Sequence, residues 1–157
     1  MRPHHHVSVS LLFSAATYGI TRSPALAAVN FLTGVFLDID HIPEYFAKFG
    51  FKSTPAEIYG SEMHLKGKKS VLLLHGFDIV TLGFGALYLF GPHALAWAAY
   101  LGAMQHLLLD LWYNPVKTPW AFFLAYRIFH GFETDRFFLR VDTKTFRKWK
   151  KGEGPNG

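Results

Sequence analysis

The chain has 157 residues, half of them hydrophobic and 17% aromatic, with nine histidines, no cysteine and a net charge of +5. Its size is that of one domain, and its apolar content excludes a disordered or low-complexity chain. Without cysteine there are no disulfides, thiolate-bound zinc or iron–sulfur clusters, so any metal must be held by nitrogen and oxygen.

The N-terminus carries His4, His5 and His6 ahead of a first apolar stretch, Val7–Ile20. Thr21-Arg22-Ser23-Pro24 then punctuates the chain, with Ser23 as a helix N-cap and Pro24 at the first helical position. A second stretch follows over Pro24–Leu37, which Pro43 is expected to end because the residue before a proline avoids the α region. Residues 44–69 read as a long polar connection containing a short helix. A third stretch, Val71–Phe90, and a fourth, His93–Tyr113, are separated by Gly91-Pro92, and Asn114-Pro115 closes the fourth. The third and fourth have about the 20 residues a helix needs to cross a bilayer; the first two are short for it. Trp120–Phe132 is aromatic but only briefly apolar, which suits an interfacial or re-entrant segment better than a fifth span. The expected division is a bundle over residues 1–139 and a basic, flexible tail over 140–157, with Arg140–Lys151 lying on anionic lipid.

If all four stretches cross, the N-terminus, the 38–69 connection and everything after residue 113 share one side. Fifteen of the sixteen Lys and Arg residues then lie there, and only Arg22 lies opposite. The positive-inside rule places that side in the cytoplasm. The expected fold is therefore an all-α, four-helix integral membrane bundle of the cytoplasmic (inner) membrane, both termini inside, with the bilayer as its partner. The basic charge orients the chain and implies no nucleic acid; the oligomeric state stays open. Two other readings compete: a soluble helical domain, and a signal peptide over Arg2–Ala27 with Ala25-Leu26-Ala27 as its cleavage site.

The polar residues inside the apolar runs carry the chemistry. His75 and Asp78 are spaced i, i+3 and His106 and Asp110 i, i+4, so each pair is expected on one helix face. The second stretch ends in Asp38-Ile39-Asp40-His41, where Asp38 and His41 share a face and Asp40 joins them if the end unwinds. A charge within hydrocarbon costs about 2.5–3.5 kcal/mol at a helix centre, so Asp78 and Asp110 require compensation. In the four-span topology all seven residues fall at similar depth on the cytoplasmic side, and His6 is placed to complete the set. Seven His and Asp ligands exceed the need of one ion, which points to two divalent ions, zinc first, with manganese or iron also suited. Asp40 or Asp78, left unliganded, is the candidate general base. Arg127 and His130, spaced i, i+3, are candidates for holding a substrate phosphate or for facing lipid headgroups. His93 reads as a packing residue and His64 as a solvated one.

The segments FLDIDHIPEY, LLLHGFD and GAMQHLLLDLWYNP together resemble the predicted membrane-bound metal-dependent hydrolases of bacterial inner membranes, a family distantly related to zinc-dependent phospholipase C. The resemblance covers roughly residues 5–115. It implies Asp38, Asp40, His41, His75, His106 and Asp110 as ligands, joined by a histidine near the N-terminus. Two positions depart from the family pattern. Leu37 stands where the signature has proline, and Asp78 follows His75 where a second histidine is usual.

The expected function is hydrolysis of an ester, in particular a phosphoester, near the cytoplasmic membrane face, with a lipid or a phosphodiester as substrate. Its rival is a non-catalytic membrane protein whose His/Asp cluster binds metal structurally. A transporter fits less well, because the far halves of the third and fourth stretches carry almost no polar residues.

Overall fold

A computed structural model describes residues 3–50 and 69–139. The described chain is all-α, with helices α1 (Pro3–Thr21), α2 (Pro24–Phe36), α3 (His41–Phe49), α4 (Phe77–Phe90), α5 (His93–Tyr113), α6 (Leu124–Phe129) and α7 (Thr134–Phe137), and 3-10 turns at Leu37–Asp40 and Pro119–Phe122. Among the described residues the only extended pairing is two isolated bridges, Lys69–Glu133 and Val116–Phe138. The tail expected over 140–157, most of the 44–69 connection and His64 lie outside the described residues.

The punctuation works locally as its chemistry dictates. Ser23 caps α2 by accepting the Leu26 N–H at 3.3 Å, with Pro24 opening the helix. Helix α5 starts after Pro92 and ends at Tyr113, ahead of Asn114-Pro115. Two expectations fail. Pro43 does not end the second helix: it sits in the first turn of α3, where a proline forfeits no intrahelical bond, and the chain runs on helically through the 3-10 turn. The third stretch is not one long helix either. Residues 70–76 are irregular and α4 begins only at Phe77, leaving 14 helical residues. Glu44, Asp40 and Arg127 supply hydrogen bonds to the 71–75 backbone that a helix would otherwise supply itself.

By length and composition, one helix among the described residues suffices to cross a bilayer. It is the continuous Pro24–Ala47, 24 residues with a mean hydropathy of 1.4; Phe77–Phe90 is apolar but shorter.

Helix α5 is the hub, packing against α2, α4 and α1, while α1 also packs on α2. The α2–α5 contact is close because it is lined by glycine. A Cβ on Gly34 would collide with the side chains of Gln105 and Ser10, and one on Gly102 with the Asn30 carbonyl and the Thr33 hydroxyl. A polar seam follows the same contact. Gln105 donates to Ser10 Oγ at 2.5 Å, Asn30 donates to the Ala98 carbonyl at 3.2 Å, and Ser14 donates to the Ala27 carbonyl at 2.8 Å. The interior is thus small and polar, whereas Leu12, Ile20, Leu82, Leu89, Phe90, Leu108 and Trp112 are each more than half exposed. Close packing through small residues, with hydrogen bonds between helices, is how helices associate in lipid.

Candidate metal centre

Four elements meet at one end of this bundle. The 3-10 turn brings Asp38, the 70–76 segment brings His75, α5 brings His106 and Asp110 one turn apart, and the first turn of α1 brings His6. The turn matters because, at three residues per turn, positions i and i+3 eclipse, which sets Asp38 and His41 on one side of the backbone.

One ligating atom from each of Asp38, His75, His106 and Asp110 lies within 4.8 Å of all the others. His75 Nε2 stands 3.1 Å from Asp38 Oδ1 and 3.5 Å from Asp110 Oδ2. His106 Nε2 stands 3.3 Å and 3.7 Å from the same two oxygens. Ligands at 2.0–2.2 Å from a tetrahedral ion are about 3.3–3.6 Å from one another, close to these four His–Asp distances. His75, His106 and Asp110 are buried, at 3%, 0% and 3% exposure.

The surroundings aim these ligands. His106 Nδ1–H donates to the Gly34 carbonyl at 2.7 Å, which fixes the tautomer and leaves the Nε2 lone pair for a cation. That Nε2 is buried without a hydrogen-bond partner. His6 Nε2 lies 3.2 Å from Asp110 Oδ1, the oxygen turned away from the two imidazoles, and its ring stacks on His106 at 3.9 Å. His75 Nδ1 lies 3.0 Å from Asp40 Oδ1. Burial opposes a charge on His75, but Asp110, Asp38 and Asp40 outweigh it and hold the imidazole well above the usual histidine range.

A second, more open group shares His75. Asp40, His41 and His75 also offer ligating atoms within 4.8 Å. Asp40 faces His41 Nδ1 at 3.1 Å and accepts the Leu74 N–H at 2.8 Å. Beside both groups lies a small cleft of about 10 Å³, room for one water, partly open to solvent and walled by His41, His75, Asp110, Asn114, Leu72, Arg127, Ala121, Phe122 and Phe138.

Comparison with family models, curated proteins and solved structures finds no match to this chain.

Asp38, Asp40, His41, His75, His106, Asp110 and His6 are brought together; Asp78 is not. Because α4 starts at Phe77, Asp78 sits in its first turn, and its carboxylate points to the start of α6. There it accepts the N–H groups of Leu124 and Ala125 at 2.9 and 2.8 Å. It braces α4 against α6 and lies outside the cluster. Arg127 is also corrected. Rather than facing headgroups it is buried, and it donates to the carbonyls of Val71, Leu72 and His75. Burial lowers its pKa from the ordinary arginine value, against the pull of Asp40, Asp78 and Glu44. His130 points away from the cluster, bonded to the Tyr126 carbonyl at 2.8 Å and packed on that ring. His93 stacks on Tyr88 at the opposite end of α5.

Glu44 is the residue that sequence reasoning missed. Its carboxylate accepts the N–H groups of Val71 and Leu72 at 3.0 and 2.9 Å, holding Leu72 at a φ of +32°. Such a φ is strained for a leucine and persists only where the surroundings impose it. An acid directly after Pro43 in a short amphipathic helix was the available signal.

Proposed function

We propose that this chain is a multi-pass inner-membrane protein whose His/Asp cluster binds one divalent cation and hydrolyses a phosphoester at the cytoplasmic face. The observation that carries the reading is the quartet Asp38, His75, His106 and Asp110, whose imidazole nitrogens and carboxylate oxygens lie 3.1–3.7 Å apart beside a small cleft. Exposed leucines and aromatics around a polar, small-residue interior support the membrane setting, as does the fifteen-to-one distribution of basic residues. The resemblance to membrane-bound metal-dependent hydrolases agrees with both.

One ion accounts for the residues better than two. His75 would serve a second ion only through Nδ1, and an imidazole ligating through both nitrogens must lose both ring protons. Asp40 is better used as the partner that orients His75, a carboxylate–histidine pairing common behind metal ligands. A divalent ion held by the quartet would polarise a phosphoryl oxygen or acidify water by taking it as a fifth ligand. The chain's own groups do the rest. His41, oriented through Nδ1 by Asp40, lines the cleft and takes a proton on its other ring nitrogen. His106 and Asp110 are kept in place by the Gly34 carbonyl and His6.

A structural-metal reading draws on the same quartet, because four protein ligands fill a tetrahedral shell and tie three elements together. One experiment separates the two. Protein purified in detergent is analysed for bound metal and then assayed on nitrophenyl phosphate mono- and diesters, alongside His41→Ala. Hydrolysis that requires metal and is lost in His41→Ala while the metal stays supports the hydrolase. Metal without turnover leaves the structural reading standing. Reporter fusions at Gly157 and Ser23 test the topology, with the cytoplasm expected for the first and the exterior for the second.

A further inference from the structure

Helix α4 is shorter than its sequence allows. It begins at Phe77, and Gly76 before it makes no side-chain capping bond. Upstream stands Ser70, a residue type suited to open a helix, whose hydroxyl is buried without a hydrogen-bond partner. A helix capped by Ser70 would take in the whole apolar run Val71–Phe90. That is about the 20 residues that cross a bilayer, against 14 in α4.

Charged side chains from other elements prevent it. Glu44, on α3, accepts the N–H groups of Val71 and Leu72 at 3.0 and 2.9 Å, and Asp40 accepts that of Leu74 at 2.8 Å. Arg127, on α6 and only 2% exposed, donates to the carbonyls of Val71, Leu72 and His75. In an α-helix those carbonyls would receive the N–H groups of His75, Gly76 and Ile79. Here the Ile79 N–H goes to Asp78 Oδ1 at 3.0 Å instead. Glu44 and Arg127 thus grip the same two residues, one by N–H and the other by C=O. Leu72 is left at a φ of +32°, which leucine keeps only under constraint.

We propose that Arg127 and Glu44 are positioning residues for His75: together they hold residues 70–76 out of a competing helix, and so hold this imidazole in the quartet. This rests on the metal reading above. Among the quartet only His75 is carried by irregular backbone, since α5 fixes His106 and Asp110 and the 3-10 turn fixes Asp38. Winding residues 71–76 into helix changes both their rise and their side-chain directions. His75 then loses its contacts of 3.1 Å to Asp38 and 3.5 Å to Asp110. A cation binds only the fraction of molecules in the held state, and its apparent affinity falls by that fraction.

The test reads both states in the full chain. Cα shifts of ¹³C-labelled, metal-free protein in nanodiscs report helix at residues 71–75, and Co²⁺ titration followed by visible absorption reports affinity. Wild type should show non-helical shifts. Arg127→Met and Glu44→Ala should each bring helical shifts and weaken Co²⁺ binding about tenfold or more, the loss expected when under about a tenth of the molecules stay in the held state. Arg127→Lys, which still donates to carbonyls, should recover part of that affinity. Ser70→Ala added to Arg127→Met should recover about fivefold, because it removes the competing helix's cap while its hydroxyl bonds to nothing in the held state. Gly76→Ala leaves both charged residues in place and should act in the same direction as Arg127→Met. A Cβ there meets Asp78 Oδ1 at 2.5 Å and the Leu124 nitrogen at 3.3 Å, and alanine favours helix. Shifts that stay non-helical in Arg127→Met, or in Gly76→Ala where Arg127→Met does not fold, overturn the proposal. So does unchanged Co²⁺ affinity in a variant whose segment has turned helical. Wild type that binds no Co²⁺ overturns the metal reading instead, and the shifts alone then decide whether the two residues hold the segment.

Discussion

The quartet and the open group share His75, yet they are built differently. In the quartet three of the ligands spend their remaining polar atom on something that aims them: Gly34 behind His106, His6 behind Asp110, Asp40 behind His75. In the open group, Asp40 is divided among His41, His75 and the Leu74 N–H, and it steadies the 70–76 segment as much as it offers a ligand. A cluster of like composition can thus offer ligands that could hold a cation on one side and their support on the other.

The largest expected effect falls on the quartet. His106→Ala and Asp110→Asn should each weaken metal binding by more than about a hundredfold, beyond the ten- to hundredfold typical of supporting partners. Metal analysis after dialysis against a weak chelator reads this; full retention of metal in either variant would break the distinction. His41→Ala should keep the metal and change its affinity by no more than about tenfold, as fits a residue outside the first shell. A fall from two bound ions to one would instead restore a two-ion site.

Protons sharpen the same comparison. The His75 pKa is raised in the folded, metal-free protein, so its contribution to stability is fully present below the ordinary histidine pKa of about 6.5 and is lost as pH rises through the folded value. Metal-free protein should therefore become less stable from neutral pH upward, and metal should abolish that trend. Thermal melts across pH with and without metal check this, and parallel curves would contradict it.

Smaller effects belong to residues outside both groups. Asp78→Asn should leave metal content unchanged and cost about 1–2 kcal/mol, the scale of weakened charge-assisted bonds to the Leu124 and Ala125 N–H groups at a half-exposed site. His93→Ala, at the far end of α5, should change stability by less than about 1 kcal/mol and metal not at all.

His75 and Asp78 show how far the sequence reaches. Their spacing reads as one helix face, and within a helix they would be equivalent. The first of them is in the quartet and the second braces α6, because the backbone at 70–76 is held out of helix by groups 27 to 56 residues away. Arg127 was misplaced for the same reason, since its partners are carbonyls that a helix would have consumed. By contrast, the pair on α5 was legible in full: His106 and Asp110 are one turn apart in an uninterrupted helix, and local geometry alone puts them side by side. Asp38, Asp40 and His41 are intermediate, because their adjacency is written in the chain while their inward aim depends on the 3-10 turn.

The sequence by itself determined the helical class, the breaks at Ser23-Pro24, Gly91-Pro92 and Asn114-Pro115, and the gathering of histidine and aspartate toward one end. These follow from propensity, capping and apolar periodicity, which act over a few residues. Tertiary structure alone decided which carboxylates face a cation and which face backbone N–H groups, because a buried charge goes to whatever donor or imidazole the fold brings within about 3 Å. For Asp110 that was His6 from α1, and for Asp78 it was the start of α6.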